Sequence, residues 1–179
     1  MENVQFLRQT GEQSRVGLHR QREEINPFLR KRTSTEKGVI VVAHSDGHVR
    51  RVLALKLRAY GFRVVELSNG VELLEMLGGA LVPEDTKQIP DLVIADEDLR
   101  TYKGMDILID LRDFGISIPF LLTTHAYSED SASRVRNLDK ARMVRFPMDW
   151  DDFLTIVLYL VRQSNPRCKA LMKRRPLLA

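Results

Sequence analysis

From Gly38 onward, short apolar runs alternate with longer amphipathic stretches. Val39-Ile40-Val41-Val42 is a continuous β-branched run, as expected of a strand buried on both faces. It leads through residues 43–47 into a stretch over 47–60 whose apolar positions, Val49, Val52, Leu53, Leu55 and Leu57, predict a helix closed by Gly61. Phe62 to Leu67 predicts a second strand. Asn69-Gly70 then opens a helix with Val71, Leu73, Leu74 and Leu77, which Gly78-Gly79 should end. Residues 81–90 read as a loop longer than the usual few residues.

The alternation continues with a strand over 91–95 and a helix that follows Gly104 and ends near Phe114-Gly115. A strand over 118–123 comes next, then a helix from about Ser128 to Leu138 that starts on a Ser-Glu-Asp cap. A strand over 141–146 is stopped by Pro147, and a last helix runs over 149–162 with three early carboxylates suited to its N-terminal dipole. Five strands alternating with five helices predict an α/β, doubly wound parallel sheet over residues 38–162. Right-handed crossovers leave few ways to connect it. The flanks differ: residues 1–37 are polar, predicting weak helices and a linker, and residues 163–179 form a basic tail.

Charge sharpens that division. Residues 1–37 carry a net +3, residues 38–161 a net −5, and residues 162–179 a net +6. The pI of 9.4 therefore belongs to the two ends. A basic tail permits salt-sensitive binding to nucleic acid or to an acidic partner. No zinc-finger or RNA-binding signature accompanies it, and the tail is too short for a helix-turn-helix. Cys168 is the single cysteine, so no intrachain disulfide forms. No apolar run approaches the roughly 20 residues that cross a bilayer, and the N-terminus lacks the apolar core of a signal peptide. The expectation is a soluble cytoplasmic protein.

In open parallel sheets, chemistry gathers beyond the carboxyl ends of the strands. Here those positions hold His44, Ser45 and Asp46, then Asp96, Glu97 and Asp98, then Thr123, Thr124 and His125, then Phe146-Pro147. The carboxylates suit a divalent cation, and Asp96 also suits nucleophilic attack on phosphorus. A carboxylate in that position can equally cap a helix or meet Arg145. Two histidines without a defined third ligand make a weak metal site.

Several blocks stand in a telling order: VIVV at 39–42, RRVLALKLRAYGFRVVELSNGVELLEML at 50–77, PDLVIADEDL at 90–99, GMDILIDLR at 104–112, IPFLLTTHA at 118–126, and Phe146-Pro147. Over about 124 residues the chain thereby resembles the receiver domain of bacterial response regulators. The resemblance implies the strand order 2-1-3-4-5. It places Asp96 at the phosphoacceptor position and Thr124 at the switch hydroxyl. The usual pair of acidic residues falls on His44 and Ser45, the usual lysine on Phe146, and the switch aromatic on Met143.

These departures imply a degenerate receiver, or pseudo-receiver. Receivers stabilise the transferring phosphoryl group with Mg²⁺ and an ammonium group, and each such contact is worth roughly 2–4 kcal/mol. Losing both leaves at most a weak Mg²⁺ site from Asp46, Asp96 and the carbonyl of Asp98. The expected function is non-enzymatic signalling through a protein partner or a second copy, engaged on the fourth helix, fifth strand and fifth helix. One alternative is a phosphorylatable single-domain response regulator that uses Asp96. Another is a nucleic-acid-associated regulator that uses the basic ends.

Overall fold

The computed structural model describes residues 37–80 and 89–164. The expectations for the N-terminal extension, for the basic tail and for most of the 81–90 loop lie outside the described residues.

Five β-rich runs become strands: β1 (Val39–Ala43), β2 (Arg63–Leu67), β3 (Leu92–Asp96), β4 (Phe120–Thr124) and β5 (Ala141–Arg145). The amphipathic stretches between and after them become α1 (Gly47–Ala59), α2 (Gly70–Ala80), α3 (Gly104–Asp113), α4 (Glu129–Arg136) and α5 (Trp150–Ser164). The strands pair in parallel in the order β2-β1-β3-β4-β5, as the resemblance implied. β1, β3 and β4 are buried at every position, which is why they read as unbroken apolar runs.

Side chains alternate across the sheet, so each strand feeds two cores. Ile40, Val42, Leu92, Ile94, Leu121 and Val144 share one face with Leu53 and Leu57 of α1 and with Phe153, Val157 and Val161 of α5. Right-handed crossovers send α2, α3 and α4 to the other face. α3 meets that face so closely that a Cβ on Gly104 would stand 2.4 Å from the carbonyl oxygen of Asp96 and 2.9 Å from Leu122 Cδ2. Only glycine lets the helix begin there.

Helix starts follow their capping residues. Asp46 accepts the amides of His48 and Val49 (2.7 and 3.2 Å), Ser128 accepts that of Ser131 (3.2 Å), and Asp149 accepts that of Asp151 (2.8 Å). Gly61 takes a φ of 96° beyond α1, as its position predicted. One boundary needs correction. α2 does not stop at Gly78-Gly79 but runs to Ala80, because Gly78 keeps a negative φ instead of turning left-handed to close the helix.

Candidate functional site

The register explains how the candidate residues meet. Ala43 pairs with Ala95 between β1 and β3, so the next residues, His44 and Asp96, stand side by side at the carboxyl rim. Both continue the face that holds Val42 and Ile94. Phe146 continues the same face from Val144, across β4. His44, Asp96, Thr123 and Thr124 are all buried.

His44 is held firmly. Its amide donates to Leu67 (3.1 Å), its carbonyl accepts from Arg50 Nη1 (2.6 Å), and its Nδ1 accepts the amide of Asp46 (3.0 Å). A ring nitrogen that accepts cannot carry the proton, so in the neutral ring the hydrogen sits on Nε2. Nε2 is buried, lacks a hydrogen-bond partner, and stands 3.7 Å from Asp96 Oδ2. Burial holds the His44 pKa below its ordinary value, against the opposing pull of Asp96 and Asp46. Burial likewise raises the pKa of Asp96, opposed by His44 and by the Asp98 amide that donates to it. The pair is therefore a neutral N–H facing a carboxylate that its surroundings disfavour.

The other candidates are engaged elsewhere. Asp46 spends its carboxylate on the start of α1, and the two amides it accepts hold its pKa below the usual carboxylate range. The Ser45 hydroxyl bridges to the β3–α3 loop, accepting the Arg100 amide (3.1 Å) and donating to the Asp98 carbonyl (3.4 Å). The Thr124 hydroxyl accepts the Ala126 amide (3.1 Å) in the loop after β4. Met143, which the resemblance puts at the switch-aromatic position, is buried within β5. Phe146 extends the β4–β5 ladder through its amide to Thr124 (2.9 Å), while its ring packs edge-on against Phe153 at 6.0 Å and joins the α1–α5 core. Arg145 lies over the Tyr127 ring, 6.0 Å from its centre, and is not a partner of Asp96.

A Mg²⁺ ion asks for near-octahedral oxygen ligands. The residues here do not fit it. Among the described residues no three His, Cys, Asp or Glu side chains gather as a metal-holding group, and the Asp46 carboxylate is engaged by the amides of His48 and Val49. A metal-ligating histidine normally donates its other N–H outward, whereas His44 accepts there and keeps its proton on the nitrogen that faces Asp96. The cap on Asp46 was legible in Asp46-Gly47-His48-Val49 as a helix start. The roles of Arg50 and Ser45 had no local signal, because they depend on loops brought together by the sheet.

No family model matches the chain. Among curated proteins, it is 31% identical over 140 residues to a protein of Picosynechococcus described as a probable transcriptional regulatory protein, covering 77% of this chain and 50% of that one. It is 28% identical over 137 residues to the alkaline phosphatase synthesis transcriptional regulatory protein SphR of Synechococcus elongatus, covering 75% and 49%. Among solved structures, the receiver domain of Francisella response regulator 1452 superposes with a TM-score of 0.62 at 16% identity, over 72% of this chain and 99% of that one. The chain carries a receiver domain. It spans a quarter to about half the length of the curated relatives it matches. Among the described residues, no helix is long and apolar enough to cross a membrane.

Proposed function

We propose that this receiver is a pseudo-receiver: a cytoplasmic, non-enzymatic signalling module that works through protein contacts and not through an aspartyl-phosphate cycle. The observation that carries this reading is the state of His44. Its tautomer is fixed by the Asp46 amide, and it fills the place of a metal-binding carboxylate with a neutral N–H aimed at Asp96. An incoming phosphoryl group brings negative charge, and His44, Ser45 and Phe146 stand where the resemblance calls for the acidic pair and the lysine that would stabilise it. Phe146 adds to this, because its partly buried ring packs against the hydrophobic core and carries no charge.

For the contact surface, the α4–β5–α5 side offers a shallow groove lined by Tyr127, Met143, Val144, Arg145, Pro147 and Met148, and Tyr159 of α5 is half exposed against Arg142 of β5. A protein partner or a second copy of the chain would engage there. The second reading, a phosphorylatable regulator, draws on the retention of Asp96 at the end of β3 and Thr124 at the end of β4.

Intact-mass measurement after incubation with Mg²⁺ and phosphoramidate separates the two. The expected result is no +80 Da adduct on the natural chain, and an adduct once His44→Asp, Ser45→Asp and Phe146→Lys are combined. A stoichiometric adduct on the natural chain that disappears in Asp96→Asn would refute the pseudo-receiver reading.

A further inference from the structure

The loop between β3 and α3 is clamped from two sides and contains a residue in a conformation it disfavours. Its base is closed where the Gly104 amide donates to Glu97 (3.0 Å), and the Glu97 amide in turn donates to Thr123 of β4 (2.8 Å). Residues 98–103 run between these ends, with the Leu99 side chain buried and Tyr102 half exposed. On one side, the Ser45 hydroxyl holds the Arg100 amide at 3.1 Å and the Asp98 carbonyl at 3.4 Å. On the other, the Gly70 amide at the start of α2 donates to the Arg100 carbonyl (3.0 Å). Tyr102 presses against Gly70 so closely that a Cβ there would stand 2.6 Å from the Tyr102 carbonyl oxygen. Between these clamps Thr101 has a φ of 75°, a left-handed conformation that β-branched residues rarely adopt and that persists only when the surroundings enforce it.

We infer that residues 98–103 are a latched strap, with the Ser45 hydroxyl as the latch and Thr101 as the spring. Freed from Ser45, Thr101 returns to negative φ, the Arg100 carbonyl withdraws from Gly70, and the half-exposed Tyr102 swings away from α2. The base at Glu97 and Gly104 stays closed, so the sheet and α3 remain in place. A ligand or partner that favours the released strap shifts the population toward it in proportion to its preference for that form. The device does not depend on whether Asp96 ever takes a phosphoryl group.

Amide hydrogen exchange, followed residue by residue by NMR on the full chain, tests the latch and the spring separately. In Ser45→Ala, the Arg100 and Gly70 amides should both exchange about fivefold or more faster, the weight of one hydrogen bond. The Glu97, Gly104 and central-strand amides should keep their protection. Adding Thr101→Gly to Ser45→Ala relieves the left-handed strain and should return the Gly70 amide toward its natural rate. If Ser45→Ala speeds Arg100 but leaves Gly70 unchanged, the hydroxyl makes a local bond only and the strap is disproved. If Gly70 stays equally fast in the double variant, Thr101 stores nothing that drives release.

Discussion

His44 and Asp96 set opposite demands on pH. The folded state holds the His44 pKa below its ordinary value, chiefly through burial. The unfolded chain therefore binds this proton where the folded chain does not, and the linked stability is lost as pH falls below about 6.5. Asp96 is raised by burial, so the folded chain keeps its proton where the unfolded carboxylate has lost it. Stability linked to Asp96 is full below the ordinary carboxylate range and is lost as pH rises through the folded-state value. At neutral pH the chain therefore carries a buried carboxylate at a cost. Asp96→Asn should melt a few degrees higher than the natural chain at pH 7.5, with the advantage shrinking on acidification toward the carboxylate range. Calorimetric melting curves across pH 4.5–8 measure this. An Asp96→Asn chain that melts lower throughout would mean that His44 and the Asp98 amide stabilise the carboxylate more than burial penalises it.

At the scale of elements, the fold rests on how each helix begins. α2 opens on a reciprocal cap: the Glu72 amide donates to Asn69 Oδ1 (3.0 Å), while the Glu72 carboxylate accepts the Ser68 amide (2.7 Å), the Ser68 hydroxyl (2.8 Å) and Asn69 Nδ2 (3.0 Å). The Ser68 amide is the main reason Glu72 titrates below its ordinary value. The cap's contribution is thus full above the ordinary carboxylate range and fades as pH falls through the folded-state value. Glu72→Ala should cost about 1 kcal/mol in urea unfolding at pH 7, and less at pH 4. An equal loss at both pH values would assign the effect to packing and not to the ionised cap. α3 starts differently, because Lys103 makes no side-chain cap bond. There the close approach of Gly104 to Asp96 and Leu122 replaces the cap, and Gly104→Ala should destabilise by about 1–3 kcal/mol through overpacking. Unchanged unfolding midpoints would show that α3 can shift to make room. These starts also explain what the sequence made legible. The capping residues Asn69, Ser128 and Asp149 are local and could be read in advance. The end of α2 could not, because a glycine pair closes a helix only where the chain turns left-handed, and Gly78 does not.

For the molecule as a whole, the strands and the strand-end places of Asp96, Thr124 and Phe146 followed from apolar periodicity, which lies within each element, whereas the strand order followed from the resemblance alone. The inner workings of the rim were hidden. The bond from Ser45 to Arg100 spans 55 residues, and the proton on His44 is set by a backbone amide that no residue pattern announces. Charge is the remaining whole-molecule property, and it is uneven: net −5 over residues 38–161 against net +6 over residues 162–179. The acidic central part repels a polyanion while the tail attracts it. Arg167, Lys169, Lys173, Arg174 and Arg175 follow Ser164, so if each neutralises one phosphate the affinity for duplex DNA falls with a log–log salt slope no steeper than about −4.5. The chain should therefore bind random duplex DNA near 20 mM salt, release it near 200 mM, and lose binding when truncated after Ser164. Fluorescence anisotropy on both chains measures the slope and the loss. A slope well beyond that limit, or equal binding after truncation, would place the DNA-binding cations elsewhere in the chain and overturn the tail's role.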